Sequence, residues 1–551
     1  MTTSIKTLGS DMSGIGALSP FELKDRLIKA AGESAVERPA NLAMLNAGRG
    51  NPNFLATLPR HGFWQLGLFA MRESERTFAH LHTGVGGFPK KEGIEDRFEI
   101  FARENQNVRG VDFLCAAVSY VRDQLALNVD EFLYEMCEGI LASNYPVPDR
   151  MLCLSEIIVG HYLRREMVGE HPFVGEFDIF AVEGGTAAMT YIFNTLRENY
   201  LLNKGDTIAL GTPIFTPYIE IPHLRDYQLN VVEINADVES GWQYSKKELD
   251  KLRDPQVKAF FVVNPSNPPS VRIDNESLRY IAQIVQDRPD LILVTDDVYG
   301  TFAENFVSLF ALCPRNTILV YSYSKHFGAT GWRLGTIAAH QDNVLDHRIA
   351  QLLPVKKREL NERYKSITTD PEHLKFIDRL VADSRTVALN HTSGLSTPQQ
   401  IQMVLFSLFA LMDTTDTYKN TLRQLIRRRK QALYTEIGVR FDASDSNAVD
   451  YYTVIDLEYL GKRAYGQPFV DWLFTNTQPS ELLFRLAAEA KVVVLPGRGF
   501  GTPHHSGRVS LANLNESDYA RIGRAIRRLL ADYVERYNLA TGQELDPNKV
   551  L

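Results

Sequence analysis

The sequence predicts an α/β fold, with a large domain built on a mainly parallel sheet between helices, a smaller α+β domain and a helical insertion. Two observations predict the large domain. Between about residues 150 and 340, helical segments alternate with five apolar runs that begin at Asp206, Leu229, Lys258, Leu291 and Thr317. These runs lack polar alternation, which is typical of strands buried on both faces of a parallel sheet.

The flanking segments predict the other elements in chain order. Ser19-Pro20-Phe21-Glu22 is typical of a capping box, so a helix is expected to begin near Pro20. Apolar residues recur at helical intervals through residues 86–140. From about residue 400 the chain is helical, and strand-like runs at 450–456 and 491–495 precede a final helix near 516–538. This succession predicts the insertion and the smaller domain.

Composition and charge exclude several classes of protein. The 551 residues are 44% hydrophobic and 23% charged, close to an ordinary globular protein and unlike a disordered one. The net charge of −7 disfavours a nucleic-acid partner, and no apolar run reaches the ~18 residues of a membrane span. The N-terminus has no apolar stretch typical of a signal peptide. We therefore expect a soluble, cytoplasmic enzyme with no nucleic-acid and no membrane partner.

The metal-ligating residue types form no metal-binding pattern. The four cysteines show no CxxC spacing and are expected to be reduced thiols. The pair His504-His505 has no second ligand cluster with zinc spacing, and we interpret it as part of a loop. No metal cofactor is therefore expected.

Polar residues follow three successive strands of the predicted sheet. They are Asn267 after the third run, Asp296 and Tyr299 after the fourth, and Ser322 and Lys325 after the fifth, with Arg333 eight residues further on. Each has an ordinary structural interpretation, because Asn-Pro pairs form turns, strand-terminal aspartates cap helices and arginines lie on surfaces. Their conjunction indicates a site, because reactive residues of an open α/β sheet lie at the carboxyl ends of its strands.

This ordered set resembles the fold-type-I pyridoxal-phosphate enzymes of the aspartate aminotransferase group. The resemblance implies pyridoxal 5′-phosphate (PLP) as cofactor, with Lys325 as the catalytic Schiff-base lysine and Asp296 beside the protonated pyridine nitrogen. It also implies that Asn267 and Tyr299 hydrogen-bond the phenolic oxygen of the ring, and that Phe215 stacks on it. These residue types suit the roles, since a carboxylate keeps the ring protonated and a lysine can shuttle protons.

The same resemblance implies a phosphate site and a dimer. Ser322 and Arg333 are expected to hold the phosphate, an anion that arginine binds in a bidentate manner. Gly185 and Thr186, in a glycine-rich helix start, are expected to add backbone N–H groups. A tyrosine of the neighbouring subunit usually reaches this phosphate, and Tyr145 matches that place. A homodimer with shared active sites is therefore expected.

Substrate recognition is expected at the C-terminal end of the chain. Ser506-Gly507-Arg508 resembles the family's segment for the substrate α-carboxylate, which implies Arg508 as the clamp, with Asn267 also contacting substrate. Arg385 and Arg49 are candidates for the second carboxylate of a dicarboxylic substrate. Both could equally be surface ion pairs.

Over nearly its whole length the chain also resembles the bacterial aspartate 4-decarboxylases, notably in the segments that begin at Asn144, Gly184 and Thr212. This implies decarboxylation of L-aspartate to L-alanine and CO2 through a ketimine, with aspartate aminotransferase side activity, in an enzyme assembled into a homododecamer. The alternatives are an aspartate or aromatic aminotransferase with an inserted helical block and, less favoured by the weakly basic N-terminus, a cofactor-binding DNA regulator.

The expected domain organisation follows from this resemblance and the element pattern. It comprises an N-terminal arm with part of the small domain (1–60), the helical insertion (86–140), the large PLP-binding domain (141–395) and the small C-terminal domain (396–551).

Overall fold

The computed structural model describes residues 20–33, 43–82, 84–385, 394–441, 444–478, 480–502 and 506–549. Its strands are β1 Leu45–Asn46, β2 Phe177–Val182, β3 Thr207–Thr212, β4 Asn230–Asp237, β5 Gln243–Tyr244, β6 Val257–Val263, β7 Ile292–Asp296, β8 Thr317–Ser322, β9 Gly335–His340, β10 Tyr452–Asp456, β11 Val492–Val493, β12 Leu495–Pro496 and β13 Ser506–Ser510.

The α-helices surround these strands. They are α1 Pro20–Glu33, α2 Thr57–Thr77, α3 Ile94–Glu104, α4 Val111–Asp123, α5 Val129–Leu141, α6 Cys153–Leu163, α7 Gly185–Glu198, α8 Thr216–Glu220, α9 Lys246–Leu249, α10 Asn275–Asp287, α11 Leu309–Leu312, α12 Val344–Ala350, α13 Pro354–Tyr364, α14 Phe376–Asp383, α15 Thr397–Met412, α16 Thr417–Ile437, α17 Leu457–Tyr465, α18 Gln467–Asn476, α19 Glu481–Ala490 and α20 Glu516–Thr541.

An eight-stranded sheet forms the centre of the molecule, with strand order β2-β9-β8-β7-β6-β3-β4-β5. The five strands β8, β7, β6, β3 and β4 run parallel to one another. They are the five runs that the sequence predicted, and their prediction is confirmed. Every residue of β7 and β8 is buried, because helices cover both faces.

Three further strands of this sheet, β2, β5 and β9, were not predicted. Strand β9 lies antiparallel between β2 and β8. It begins at Gly335 and ends at His340, and β2 contains Asp178, so neither has the continuous apolar, β-branched character of the other five. The sheet is mainly parallel, as expected, and β9 makes it mixed.

A three-stranded antiparallel sheet, β10-β13-β12, lies towards the C-terminus. The N-terminal arm joins this region because β1 pairs in parallel with β11, and the Ser510 amide donates to the Ala47 carbonyl oxygen at 2.7 Å. Helices α16 and α20 pack on each other beside it. The pairing of β1 brings the loop Gly48–Gly50 to the large sheet.

The predicted block at residues 86–140 is helical, as α3, α4 and α5. Helices α4 and α5 pack against α2 and α15, and α3 packs on α4 and α5. The rings of Phe69 in α2 and Phe98 in α3 lie 5.3 Å apart. Helix α15, placed by the sequence in the C-terminal domain, also contacts α6. The domain boundaries therefore stay a prediction.

The helix ends agree with the local signals. Helix α1 begins at Pro20, while the expected cap Ser19 lies outside the described residues. The expected final helix is α20, which a capping box of Asn515 and Asp518 starts. Within the described part of the chain, every helix is too short or too polar to cross a lipid bilayer.

Candidate active site

A cavity of about 220 Å³ lies where β6, β7 and β8 end, between the large sheet and the three-stranded sheet. Its lining residues are Gly50, Gly185, Thr186, Met189, Phe215, Tyr218, Val263, Asn267, Asp296, Val298, Tyr299, Ser322, Ser324, Lys325, Thr330, Arg333, Tyr452 and Arg508. The list contains all the predicted site residues except Tyr145, Arg385 and the candidate Arg49. The strand-end positions of the sheet therefore do converge, as the topology requires.

Asp296, the last residue of β7, is a buried carboxylate on the wall of this cavity. The Tyr218 hydroxyl donates to its Oδ2 at 3.3 Å, and the Val298 amide donates to its Oδ1 at 3.4 Å. Burial raises the pKa of Asp296 to about 6, although both hydrogen bonds and the charge of Lys325 act in the opposite direction. A cation placed beside this carboxylate would stabilise its ionised form.

Lys325 follows β8 and directs its amine towards the N-terminal arm. Its Nζ donates to the Gly50 carbonyl oxygen at 3.0 Å. A Cβ atom at Gly50 would lie 3.2 Å from Lys325 Nζ and 2.6 Å from the Tyr452 hydroxyl oxygen. A side chain at residue 50 would therefore displace the amine or the hydroxyl, because it would occupy the space that both border.

A hydrogen-bonded chain connects the two sheets across the cavity. Arg508 Nη1 donates to Asn267 Oδ1 at 3.0 Å. Asn267 Nδ2 donates to the Tyr299 hydroxyl at a long 3.5 Å, and that hydroxyl donates to the Tyr452 oxygen at 3.0 Å. The residues that are expected to face cofactor and substrate are thus held in one network.

Arg508 is buried in the three-stranded sheet with its guanidinium over two rings. The guanidinium carbon lies 4.3 Å from the centre of the Tyr452 ring and 4.6 Å from that of Phe500. Its Nη2 donates to the Gly48 carbonyl oxygen at 3.0 Å, and within the described structure the buried Nε has no acceptor. This rigid, partly unsatisfied cation suits a carboxylate ligand.

The other end of the cavity is built for an anion. Gly185 and Thr186 begin helix α7, whose N-terminal N–H groups favour phosphate. Arg333 has a left-handed backbone (φ 57°) and donates from Nη2 to the Glu183 carbonyl oxygen at 3.1 Å. A Cβ atom at Gly184 would lie 2.8 Å from that Nη2, so glycine lets the arginine reach the helix start.

Three predicted residues do not line the cavity of their own chain. Tyr145 is 77% exposed, in a separate surface pocket beside Glu138. Arg385 is buried and forms an ion pair with Asp149, so the structure does not bring it to the site. The substrate-binding role of Arg385 stays a prediction, and its position does not support it. The exposure of Tyr145 is compatible with a contact to the active site of a partner subunit. Arg49, the other candidate for the second carboxylate, is exposed.

The pair His504-His505 lies outside the described residues. Among the residues that the structure does describe, no group of histidine, cysteine, aspartate and glutamate side chains could hold a metal ion.

Sequence reasoning missed two tyrosines of the cavity. Tyr218 lies in the segment that was noted only for Phe215. No local sequence pattern indicated that its hydroxyl donates a hydrogen bond to Asp296. Tyr452 lies in a run interpreted only as a strand. It reaches the site because Val454 pairs with Arg508 and Tyr452 pairs with Ser510 in the antiparallel ladder, which puts Tyr452 diagonal to Arg508 on one face.

An α/β sheet whose strand ends carry an amide, a carboxylate and a lysine around an anion site defines a class, the pyridoxal-phosphate enzymes of fold type I. The model of the family "Aminotransferase class I and II" matches residues 169–526. Over 538 residues, 98% of this chain and 100% of the relative, the sequence is 58% identical to a Pseudomonas protein named "Bifunctional aspartate aminotransferase and L-aspartate beta-decarboxylase". The chain belongs to the class I and II aminotransferase family.

Solved structures share the fold at low sequence identity. A double mutant of Thermus thermophilus aspartate aminotransferase has a TM-score of 0.56 and 17% identity, over 92% of this chain and 96% of that one. The aromatic aminotransferase of Pyrococcus horikoshii OT3 has a TM-score of 0.55 and 18% identity, over 92% and 99% of the two chains. The expected fold class is confirmed.

Enzymes of this family depend on PLP, and the cavity fits that cofactor. A protonated ring nitrogen would stabilise the buried carboxylate of Asp296, whose pKa is otherwise raised. The start of helix α7, Ser322 and Arg333 would hold the phosphate. Lys325 would supply the amine for covalent attachment.

Proposed function

We propose that the protein decarboxylates L-aspartate at its β-carbon to L-alanine and CO2, and that it also transaminates aspartate. The proposal is supported by 58% identity over 98% of the chain to the Pseudomonas protein, which is named for both activities. The observation that carries it is the set of cations in the cavity. Among the described residues that line it, these are Lys325, Arg333 and Arg508.

Each of the three cations is assigned to another group, so none of them is left to pair with the substrate's β-carboxylate. Arg333 belongs to the anion end at helix α7, and Lys325 to the reacting carbons. Arg508 is the clamp for the α-carboxylate, on the opposite side from Arg333. An ion pair to the β-carboxylate would stabilise the group that must leave, whereas only interactions stronger in the transition state accelerate a reaction.

The chain's own residues then have distinct tasks. When bound, PLP withdraws electrons from the carbons next to the substrate nitrogen. Asp296 sustains that withdrawal by holding positive charge at the ring nitrogen, and Lys325 moves the proton at Cα. Loss of CO2 breaks the bond between Cβ and the carboxylate, leaves the electron pair at Cβ and requires one proton there.

A second activity follows from the same residues. Transamination needs the α-carboxylate clamp, the proton transfers of Lys325 and the charge of Asp296, but no change at Cβ. A substrate whose amino group is lost before the β-carboxylate leaves yields oxaloacetate. The two activities therefore differ only in what happens at Cβ.

The test is to incubate the PLP-loaded protein with L-aspartate and no added keto acid. Many turnovers with equal amounts of alanine and CO2 are expected. If there is no CO2, but oxaloacetate forms once 2-oxoglutarate is supplied, the protein is an aminotransferase and the decarboxylase proposal is wrong.

We further propose a homodimer with shared active sites, in which Tyr145 reaches the phosphate of the partner. Its 77% exposure outside its own cavity supports this. Mixing Lys325→Ala with Tyr145→Ala subunits should create one complete site per mixed dimer and restore about a quarter of the wild-type activity. A mixture no more active than its two components would place Tyr145 elsewhere.

A homododecamer is proposed as the higher assembly, with the helical block as its contact region. Trp64, Leu68 and Met71, at successive turns of α2, are 62%, 58% and 50% exposed. Such an apolar stripe is typical of a protein interface. Light scattering of the wild type and of Leu68→Glu should separate a large assembly from a dimer, whereas identical masses would exclude this face.

We propose a cytoplasmic location. All four cysteines are free thiols in the structure, which is the rule for proteins of reducing compartments. Fractionation of the native cells, with the activity followed in each fraction, tests this location.

A further inference from the structure

The proposed decarboxylation, on which this inference rests, needs a proton at Cβ after CO2 has left. We propose that Tyr452 is a further catalytic residue, the acid that delivers this proton from its hydroxyl. In the reaction the bond between Cβ and the carboxylate carbon breaks and its electron pair stays at Cβ. That pair then takes the hydroxyl proton of Tyr452 to form the new C–H bond, which leaves Tyr452 as a phenolate.

The position of Tyr452 is the first argument. Its hydroxyl and Lys325 Nζ border one gap, 2.6 and 3.2 Å from the point where a Gly50 side chain would begin. Its ring lies 4.3 Å beneath the guanidinium of Arg508. With the α-carboxylate on Arg508 and Cα at Lys325, Cβ is one bond from Cα and lies within reach of the hydroxyl.

The direction of the hydrogen bonds is the second argument. Tyr299 donates its proton to the Tyr452 oxygen at 3.0 Å. Within the described part of the chain, no acceptor takes the Tyr452 proton itself, so that proton is available to a substrate in the cavity. The neighbouring Tyr451 differs, because its hydroxyl donates to the Gly50 carbonyl oxygen at 3.0 Å.

The third argument is that a phenolate at this position would be stabilised. The groups that face Tyr452 are two cations, Lys325 and Arg508, and two phenols, Tyr299 and Tyr451. Burial alone would raise the pKa of Tyr452, but the charges of Lys325 and Arg508 and the hydrogen bond from Tyr299 outweigh it and lower this pKa. Lys325 can return the proton, because it borders the same gap.

The scaffold keeps Tyr452 in this position. The Lys430 amine donates to Asp450 at 2.5 Å, two residues earlier, where the backbone is left-handed (φ 63°). The Tyr451 amide donates to Ser270 Oγ at 2.9 Å, which ties the strand to the loop that carries Asn267. The residues before Tyr452 are therefore anchored to helix α16 and to the loop after β6.

The test compares Tyr452→Phe with the matched control Tyr451→Phe in single turnovers of the holoenzyme with L-aspartate. Tyr452→Phe retains the ring under Arg508 and loses only the acid. CO2 should appear at near the wild-type rate, while alanine lags behind it by about 10²-fold or more. In Tyr451→Phe, as in the wild type, alanine should keep pace with CO2. Transamination, which needs no proton at Cβ, should persist in both variants.

Other outcomes overturn the proposal. If alanine keeps pace with CO2 in Tyr452→Phe, the proton comes from another group. If CO2 release and transamination fall together, Tyr452 is only a structural support. If the wild type releases no CO2, the proposed function itself is wrong, and the catalytic role of Tyr452 is wrong with it.

A measurement on the cofactor-free protein provides an independent check. Tyrosinate absorbance is followed during a pH titration of the wild type, Tyr452→Phe and Lys325→Met. One tyrosine should ionise below the ordinary pKa of about 10. This ionisation should be absent in Tyr452→Phe and should move to higher pH in Lys325→Met. Identical titrations of the wild type and Tyr452→Phe would contradict the proposal.

Discussion

The two walls of the cavity are built in different ways. The sheet-end wall (Asn267, Asp296, Tyr299, Ser322 and Lys325) comes from three adjacent parallel strands and lies within about 60 consecutive residues. The C-terminal wall (Tyr452, Arg508 and the loop Gly48–Gly50) joins three distant segments through strand pairing. The first wall carries the groups expected to serve PLP, and the second carries those expected to meet the substrate.

Because the two walls carry different groups, we expect substitutions in them to have different effects on activity. Changes in the sheet-end wall should impair decarboxylation and transamination alike, because both use the cofactor. Changes in the C-terminal wall should alter substrate affinity or the balance between the two reactions. The predictions below, from the largest effect to the smallest, test whether the walls divide the work in this way.

Lys325→Ala should have the largest effect, because it removes both the cofactor attachment and the proton carrier. Both activities should fall by about 10⁴-fold or more. Absorbance of the bound cofactor, and borohydride trapping followed by peptide mass mapping, check the assignment. Lys246→Ala, at an exposed ion pair with Glu276, is the control and should behave like the wild type. A trapped adduct on another lysine would contradict the assignment.

Asp296→Asn should reduce both reactions by about 10²- to 10³-fold, because it removes the charge that holds the ring protonated. The neighbouring Asp297→Asn is a matched control. Asp297 is also fully buried, but burial raises its pKa to about 8, so near neutral pH it is mostly uncharged already. Steady-state rates of both reactions are measured. If both variants lose activity equally, Asp296 has no special role.

The sheet-end wall was largely predictable from the sequence, whereas the C-terminal wall was not. Continuous apolar runs identify the central strands, and the residue after each run lies at the cavity edge. Tyr452 and Gly50 reach the site through pairings between residues far apart in the chain, which no local pattern reports. Arg508 was found only because its flanking sequence resembles a family segment, and Arg385 lacked such support.

Arg508→Lys should act mainly on substrate affinity. The lysine retains the charge but cannot reproduce the two bonds to Asn267 and Gly48, so KM for aspartate should rise by about 10- to 10²-fold in both reactions. Initial rates over a range of aspartate concentrations give KM. Arg524→Lys, at a surface pair with Glu436, should leave KM unchanged. An unchanged KM in Arg508→Lys would move the α-carboxylate site elsewhere.

The last prediction concerns stability rather than activity. Because burial raises the pKa of Asp297 to about 8, the folded protein binds this proton more tightly than the unfolded chain does. The free energy of unfolding should therefore decrease as pH rises from about 4 through about 8. Asp297→Asn should flatten that dependence in denaturant titrations of the cofactor-free protein. Equal slopes for the two proteins would contradict the buried, protonated state.

The most direct test of the central claim uses L-aspartate labelled with ¹³C in its β-carboxylate, followed by NMR with the PLP-loaded protein. A cavity that clamps the α-carboxylate at Arg508 and leaves the β-carboxylate without a cation predicts label in CO2 and bicarbonate and unlabelled alanine. Label retained in β-alanine, or only in oxaloacetate, would contradict it.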